Sequence, residues 1–211
     1  MSETQHKINN RFFRKLIHLL YYRRNKIHRD FLIKMMPKNG VCAEIGVLNG
    51  DFSLKILEYA KPKKLYLIDA WAGNDVYSDE LCRKNYDEVI NKFSGNSTVE
   101  IIKSDSLKAL KQFQASFFDW VYIDAEHNYS NVKTDLEQSF RTVKTNGFIC
   151  GDNYMQNDHT SKDVFPGVTK AVNEFINKYP VSRLKIYFPR HFFKHFQFIL
   201  LKQNNQIVKQ K

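Results

Sequence analysis

Cysteine, proline and glycine are all scarce in this chain, whose 211 residues include three cysteines, five prolines and eight glycines. The cysteines are scattered, which argues against a disulfide framework or a cysteine-ligated metal cluster. Cys42 and Cys150 lie inside apolar runs, so we expect buried, reduced thiols. Internal repeats and low-complexity tracts are absent as well, which favours an ordinary globular domain.

Long hydrophobic runs are also missing. No stretch approaches the roughly 18 uninterrupted apolar residues of a membrane span, and the polar start M-S-E-T-Q-H-K lacks the hydrophobic region of a signal peptide. We therefore expect a cytoplasmic protein. Hydrophobic residues make up 43% of the chain, which is enough for one core. We predict one domain over residues 38–205, a basic helical extension over 1–37 and a basic tail over 206–211.

Acidic residues are almost absent from both ends. Residues 1–40 hold ten Lys and Arg against two acids and residues 183–211 hold seven against none, whereas residues 41–182 hold sixteen against twenty. Between residues 10 and 36, apolar side chains recur at helical spacing, which predicts one broken helix or two. Such ends suit an anionic partner, either nucleic acid or a membrane surface contacted through residues 10–36, but they are also typical of solvated surfaces.

What the sequence does contain, after Gly40, is a regular alternation of short apolar runs and amphipathic stretches. This alternation implies crossover connections and a parallel sheet with helices on both faces. Two late apolar runs, 184–188 and 196–202, are close enough in sequence to pair antiparallel. We predict an α/β, doubly wound, mostly parallel seven-stranded sheet with a C-terminal antiparallel hairpin. The other predicted strands lie at 41–46, 65–69, 99–103, 118–124 and 147–152, and the predicted helices at 52–60, 79–93, 106–112, 129–143 and 168–179.

Each of the first five predicted strands delivers an acidic residue at or just past its end. Ligands of doubly wound sheets bind beyond the carboxyl ends of the strands. One such acid can simply cap the following helix, but five in succession indicate a ligand-binding edge. The five residues are Glu44, Asp69, Asp105, Asp124 and Asp152.

The loop after the first strand reads E-I-G-V-L-N-G-D-F-S (44–53). Gly46 and Gly50 permit a tight turn and a close backbone approach at the start of a helix, whose free N–H groups can meet a ligand. The loop lacks the middle glycine of the dinucleotide pattern G-x-G-x-x-G and the G-K-[ST] of a phosphate-binding P-loop. Neither of those two sites is therefore predicted.

E-I-G-V-L-N-G resembles the first motif of class I S-adenosylmethionine-dependent methyltransferases, and L-I-D-A-W (67–71) resembles their second strand with its ribose-binding acid. The resemblance implies that the glycine loop lies against the amino-acid part of the cofactor and that Asp69 accepts the ribose hydroxyls. It also implies that S-D-S (104–106) reads the adenine, with Asp105 at its amino group. The implied cofactor-binding residues are Glu44, Gly46, Gly50, Asp69, Ser104, Asp105 and Ser106.

Three later segments, W-V-Y-I-D-A-E-H-N-Y (120–129), D-L-E-Q-S-F (135–140) and N-G-F-I-C-G-D-N-Y (146–154), are similar to one branch of that family. This branch comprises the metal-dependent small-molecule O-methyltransferases of the catechol and macrolide-sugar types, and the resemblance covers about residues 38–202. It implies that Asp124, Asp152 and Asn153 hold a divalent ion. Two carboxylates and an amide oxygen suit Mg²⁺, with Mn²⁺ or Ca²⁺ as alternatives.

The acid–histidine pair of Asp124 and His127 is the predicted catalytic pair. A metal ion bound by Asp124 would acidify a substrate hydroxyl, and His127, whose ordinary pKa lies near neutrality, would take the proton. Glu126 is expected to cap the next helix or to face solvent. Asp158 and His159 lie in a long polar segment that we expect to act as a lid. His191 and His195 are interpreted as non-ligands.

The sequence thus predicts an O-methyltransferase that acts on the hydroxyl of a small molecule such as a sugar or glycoconjugate. Two alternatives stay open. One is an RNA ribose methyltransferase that uses the basic termini, and the other is a non-catalytic or membrane-recruited module. The sequence does not determine the oligomeric state, and a homo-oligomer is compatible with it.

Overall fold

The fold follows from a computed structural model that describes residues 29–74, 76–154, 165–183 and 196–204. Helix α1 covers residues 29–35 of the described part. The remaining elements are β1 (Val41–Ile45), α2 (Asp51–Ala60), β2 (Lys64–Asp69), α3 (Asp79–Lys92), β3 (Val99–Lys103), α4 (Ser106–Lys111), β4 (Phe118–Ile123), α5 (Tyr129–Thr142), β5 (Val143–Tyr154), α6 (Pro166–Lys178), β6 (Val181–Arg183) and β7 (Phe196–Lys202).

These strands form one seven-stranded sheet in the order β3-β2-β1-β4-β5-β7-β6. The first five strands run parallel, whereas β7 is antiparallel to both β5 and β6. The predicted α/β, doubly wound sheet with an antiparallel addition is therefore confirmed. The predicted run 184–188 lies outside the described residues, and the described partner of β7 at that edge is β6. The strand order runs outward from β1 through β2 to β3 on one side and from β4 outward on the other. The topological switch point therefore lies between β1 and β4, where such folds bind ligands.

Side chains of the central strands alternate between the two faces of the sheet, as the two-residue period of a strand requires. In β4, Val121 and Ile123 pack in the core beneath α4, α5 and α6, whereas Trp120 and Tyr122 pack in the core beneath α1, α2 and α3. All four are buried. This explains why β4 has the near-continuous apolar character of a strand covered on both sides.

Helix α1 is anchored on the second of these faces. Leu32 and Ile33 are fully buried, Met36 is 3% exposed, and the Cys150 thiol lies 3.5 Å from the Met36 sulfur. The rest of the predicted 10–36 helical region lies outside the described residues. All three cysteines are free and buried, as expected. Within the described ranges, no helix is both long enough and apolar enough to cross a membrane.

Candidate active site at the carboxyl edge of the sheet

The loop between β1 and α2 is held against the ends of both neighbouring strands. The Gly46 N–H donates to the Ile68 carbonyl at 2.9 Å, and the Asp124 N–H donates to the Ile45 carbonyl at 2.8 Å. Gly46 has a φ of +85°, and a Cβ built there would lie 2.2 Å from the Asp124 carbonyl oxygen. Only glycine meets both demands without strain. The close approach at Gly46 is to the backbone of Asp124, and an approach of this loop to a ligand stays a prediction.

Asp69 joins two loops at the end of β2. Its Oδ2 accepts hydrogen bonds from the N–H groups of Val47 at 2.8 Å and Leu48 at 3.1 Å, and its Oδ1 accepts from the Trp71 N–H at 2.8 Å. The Trp71 indole N–H donates to the Leu48 carbonyl at 2.7 Å, which closes the loop pair. Because each carboxylate oxygen can accept more than one hydrogen bond, the fixed carboxylate retains capacity for a ligand hydroxyl. A ribose-binding role for Asp69 fits this geometry and stays a prediction.

Glu44 is an almost fully buried carboxyl group, with 1% of its surface exposed. Burial raises the pKa of Glu44 to about 8, although the Ser53 hydroxyl, which donates to its Oε2 at 2.5 Å, acts in the opposite direction. The side chain lies on the same sheet face as Tyr122, with which it is in register. A carboxyl group in this state is neutral over much of the pH range, so it packs beneath the glycine loop without an unpaired charge.

The S-D-S segment combines a helix cap with a buried acid contact. Asp105 is the N-cap of α4 and accepts the Lys108 N–H at 3.2 Å, while the Ser104 hydroxyl donates to the Asp105 carbonyl at 3.1 Å. The Ser106 hydroxyl donates to Asp135 Oδ1 at 2.6 Å. Burial raises the pKa of Asp135 to about 6. In the described geometry each of these side chains has a partner within the chain. The predicted adenine contacts of this segment stay a prediction.

Asp124, His127 and Asn153 meet where β4 and β5 end. His127 Nε2 lies 2.7 Å from Asn153 Nδ2 and 3.6 Å from Asp124 Oδ1. The His127 tautomer and the orientation of the Asn153 amide together set which of the two groups donates in this contact. The ring packs against Phe165 with 4.5 Å between centroids. Asn153 reaches this position with a left-handed φ of 63°, next to the register shift between Gly151 and Tyr154.

Arg29, from α1, lies between the two predicted metal-binding carboxylates. Its Nη2 contacts Asp124 Oδ2, and its Nε lies 3.4 Å from Asp152 Oδ2. Burial disfavours its charge, but the nearby carboxylate of Asp124, the Tyr122 hydroxyl and the carboxylate of Asp152 raise the pKa of Arg29 above its ordinary value. The guanidinium is therefore charged at any physiological pH. It brings one positive charge to a pair of acids.

A ring of hydrogen bonds fixes these groups relative to one another. Arg29 Nε donates to the Tyr122 hydroxyl at 2.9 Å, Tyr122 donates to Gln197 Oε1 at 2.5 Å, and Gln197 Nε2 donates to Asp152 Oδ1. Burial raises the pKa of Tyr122 well above its ordinary value, so the phenol keeps its proton. Burial also raises the pKa of Asp152 to about 6, and the Arg29 charge opposes that shift. Every member of the ring is thus paired, including the buried Tyr122 and Asp152.

The structure brings the three predicted metal ligands together, but around a guanidinium. Arg29 already engages Asp124 Oδ2, and Asn153 directs a donor nitrogen rather than an oxygen toward Asp124 Oδ1, at 3.4 Å. Mg²⁺ needs oxygen ligands at about 2.0–2.1 Å in octahedral geometry. Among the described residues, no group of three or more His, Cys, Asp or Glu side chains is placed to hold a metal ion. The predicted Mg²⁺ site does not fit this arrangement.

Glu126 behaves as expected for a bystander. It is exposed, and its Oε2 accepts from the side-chain amides of Asn128 at 2.7 Å and Asn131 at 2.6 Å. Asn128 is the N-cap of α5, so Glu126 braces a helix start. The predicted lid residues Asp158 and His159 lie outside the described part of the chain, as do His191 and His195.

The comparison with known proteins decides the family. A model of a methyltransferase domain matches residues 43–154, which is more than half of the chain and includes the ends of β1, β2, β4 and β5. The chain belongs to this methyltransferase family. It is an S-adenosylmethionine-dependent methyltransferase, as the glycine loop and the second strand predict. No curated protein sequence matches the chain at a significant level.

Solved structures similar to this methyltransferase share its fold at low sequence identity. The N-methyltransferase NodS from Bradyrhizobium japonicum is 14% identical with a TM-score of 0.58, over 87% of this chain and 97% of that one. An rRNA methylase from Streptococcus thermophilus is 12% identical with a TM-score of 0.58, over 84% and 95%. Spermidine synthase from Thermotoga maritima is 15% identical with a TM-score of 0.54, over 84% and 57%. The fold therefore leaves the acceptor group open.

Arg29 is the site residue that sequence reasoning misses. The sequence places it among the basic residues of a surface helix, although it precedes the buried Leu32 and Ile33 by three and four positions. Residues at that spacing share one helix face. This spacing is the available signal that Arg29 points toward the domain rather than toward solvent.

Proposed function

We propose that this methyltransferase transfers a methyl group to a hydroxyl of a small molecule, such as a sugar or a glycoconjugate. The observation that carries the proposal is the imidazole of His127 at the end of β4, held 2.7 Å from Asn153 and 3.6 Å from Asp124. Its side chain is 37% exposed, so a small acceptor can reach it from solvent. A positioned histidine beside a carboxylate is suited to act as a general base.

A hydroxyl acceptor needs a base. An alcohol has a pKa near that of water, about 15.7, and it becomes a good nucleophile only if its proton is removed during attack. A histidine poised to accept a proton suits such an acceptor. An alkylammonium must also lose a proton before attack, so the acceptor panel below includes an amine.

Every bond and proton in the proposed transfer can be accounted for by the cofactor, the acceptor and residues of this chain. S-adenosylmethionine supplies a sulfonium methyl group. The acceptor oxygen forms the new O–C bond, the S–C bond breaks with its electron pair moving to sulfur, and the hydroxyl proton passes to the ring nitrogen of His127 that carries no proton. Asp124 Oδ1, 3.6 Å from His127 Nε2, stabilises the resulting imidazolium, and the exposed ring returns the proton to solvent. Positioning of the acceptor is the main contribution of the protein.

The proposed transfer has no metal-dependent step. The sequence predicts Mg²⁺ or a related ion at Asp124, Asp152 and Asn153, but a guanidinium occupies the space between the two carboxylates. No step of the transfer is therefore assigned to a metal ion.

A methyl-transfer assay with an acceptor panel tests the proposal. The full-length protein is incubated with methyl-labelled S-adenosylmethionine and a catechol, a sugar glycoside, a primary amine or an RNA, and the product bond is identified by NMR and mass spectrometry. We expect O-methyl products from a small hydroxyl acceptor. Transfer only to the amine would contradict the proposal. Transfer only to RNA, with a steep salt dependence of binding, would favour the ribose methyltransferase alternative.

A further inference from the structure

We propose that Arg29 is the resident cation of the acceptor site: its guanidinium holds Asp124 and Asp152 in the place of a divalent metal ion, so that methyl transfer needs no metal. The role of Arg29 in transfer rests on the proposed function, whereas its occupancy of the site follows from the contacts of its guanidinium. Arg29 acts in this way as a positioning residue for the two carboxylates.

The sheet itself places both carboxylates beneath α1. Tyr122 in β4 and Cys150 in β5 are in register, and both belong to the core on the α1 side. Because side chains alternate along a strand, Asp124 and Asp152, two residues further on, start from the same face. Gln197 in β7 stands two residues before Ile199, which pairs with Cys150 and lies in the same core. One face of the sheet thus presents Asp124, Asp152 and Gln197 together.

Helix α1 brings its cation to that face by packing. Leu32 and Ile33 are fully buried on the sheet, and Arg29 lies one turn before them on the same side of the helix. The chain leaves α1 and enters β1 at its amino end, at Val41. The start of α1 therefore points back toward the carboxyl edge, where the site lies. The packing of Leu32 and Ile33 in the core therefore fixes where Arg29 lies.

The Arg29 guanidinium is held by aromatic, hydroxyl and carboxylate groups of the described residues. It lies 4.3 Å above the Phe52 ring and 5.4 Å from the Tyr122 ring, and its Nε donates to the Tyr122 hydroxyl at 2.9 Å. Its side chain is only 22% exposed. A planar, permanently charged group with several fixed donors suits stacking and two-carboxylate contact better than a lysine ammonium does. The site is therefore built for arginine.

Guanidinium and metal ion are mutually exclusive at this site. A hard divalent ion would need the oxygens of Asp124 and Asp152 as direct ligands. Arg29 contacts Asp124 Oδ2 and lies 3.4 Å from Asp152 Oδ2, so the ion would have to displace it. Two cations within a few ångströms also repel each other in a partly buried site. Removal of the guanidinium should instead leave two carboxylates ready to bind a metal.

Cation binding gives the first test, and it needs no acceptor substrate. Mn²⁺ binding to the full-length protein is measured by electron paramagnetic resonance for the wild type, Arg29→Ala, Arg29→Lys and the double variant Arg29→Ala with Asp124→Asn. We expect Arg29→Ala to bind Mn²⁺ about tenfold or more tightly than the wild type, because a repelling charge is gone and carboxylate ligands are freed. Arg29→Lys and the double variant should bind as weakly as the wild type.

Lys34→Ala is the matched control, because it removes a cation from the exposed side of the same helix, where Lys34 lies over Tyr59. It should leave Mn²⁺ binding unchanged. Equal Mn²⁺ affinity of the wild type and Arg29→Ala would overturn the inference. A circular dichroism melt shows whether each variant is folded. If Arg29→Ala unfolds, Arg29→Lys still tests the inference, because tighter Mn²⁺ binding by the lysine variant than by the wild type would contradict it.

Activity gives the second test. Wild-type methyl transfer should persist after exhaustive chelation, whereas Arg29→Ala should lose most activity and regain part of it on addition of guanidinium or Mg²⁺. Lys34→Ala should show neither loss nor rescue. Wild-type activity that disappears on chelation and returns with Mg²⁺ would refute the inference. If no hydroxyl acceptor is methylated but the Mn²⁺ pattern holds, the proposed function fails and the occupancy of the site by Arg29 stands.

Discussion

The two halves of the sheet's carboxyl edge hold their carboxylates in different ways. In the half formed by β1, β2 and β3, Asp69 and Asp105 accept hydrogen bonds from backbone N–H groups a few residues to about twenty residues away. In the half formed by β4 and β5, Asp124 and Asp152 are paired with Arg29, 95 residues from Asp124 along the chain. Backbone N–H groups position Asp69 and Asp105, whereas Asp124 and Asp152 are joined by a distant side chain, with one local backbone N–H, that of Asn153, on Asp152 Oδ1 at 2.7 Å.

This difference matters because we propose different tasks for the two halves: S-adenosylmethionine binding for the half of β1, β2 and β3, called the cofactor half, and acceptor binding for the half of β4 and β5, called the acceptor half. The cofactor is constant in a methyltransferase family, so a rigid set of backbone donors and one fixed acid would be an adequate receptor. Acceptors differ among proteins with this fold. An acceptor site that depends on a side chain from outside the sheet could change by one substitution without disturbing the cofactor half.

Gly46→Ala should have the largest effect, because Gly46 touches both halves. Its φ of +85° strains any other residue, and the new Cβ would lie 2.2 Å from the Asp124 carbonyl. We expect destabilisation of about 2–5 kcal/mol from backbone strain and overpacking, which corresponds to roughly 5–20 °C in Tm, together with loss of activity. Gly95→Ala is the matched control, since Gly95 has a φ of +72° but a Cβ added there would meet nothing within 4 Å. Equal losses of Tm would show that the contact with Asp124 is unimportant.

His127→Ala should separate the halves most sharply. Loss of the base should lower kcat by about 10²–10⁴-fold, because the acceptor proton then has no positioned receiver. The Kd for S-adenosylmethionine, measured by calorimetry, should stay within about twofold, because His127 contacts Asn153 and Asp124 rather than the glycine loop. Glu126→Gln, at the neighbouring exposed position, is the control and should keep full activity. A parallel loss of cofactor affinity and kcat would argue that the two halves are not separate.

The contrast between the halves also explains what the sequence can predict. The order of strands and helices follows from local periodicity, and the strand-end acids Glu44, Asp69 and Asp152 follow from the strands. The glycine loop can be recognised because its constraint is local. For Arg29, the helical spacing to Leu32 and Ile33 indicates an inward-facing side chain, but its partners depend on the packing of α1 against β4 and β5, which no local pattern encodes. For the same reason the sequence alone leads to a metal ion between the two acids.

Asp69→Asn should weaken the cofactor half alone. The amide replaces one carboxylate oxygen by a donor that faces backbone N–H groups, and the charge that would bind ribose hydroxyls is lost. We expect the Kd for S-adenosylmethionine to rise by about 10–100-fold, as for loss of a charged hydrogen-bonding group, with kcat at saturating cofactor little changed. Asp87→Asn, at an exposed position of α3, should bind normally. An unchanged Kd for Asp69→Asn would remove Asp69 from the cofactor site.

Glu44→Gln should have the smallest effect on activity and should show mainly as a change in the pH dependence of stability. The pKa of Glu44 is about 8 in the folded protein against 4.5 for an ordinary glutamate, because burial disfavours its charged form. The folded state therefore keeps this proton while the unfolded chain releases it, so the free energy of unfolding is highest below pH 4.5, falls between pH 4.5 and about 8 and stays low above. The slope from this group is at most about 1.4 kcal/mol per pH unit.

Thermal melts from pH 5 to about 8 should show a flatter profile for Glu44→Gln than for the wild type, whereas Glu80→Gln, at an exposed position, should match the wild type. The amide cannot titrate, so the pH-dependent loss that Glu44 causes disappears with it. Identical slopes for Glu44→Gln and the wild type would mean that Glu44 is ionised in the fold, and the cofactor half would then carry a buried charge, as the acceptor half does.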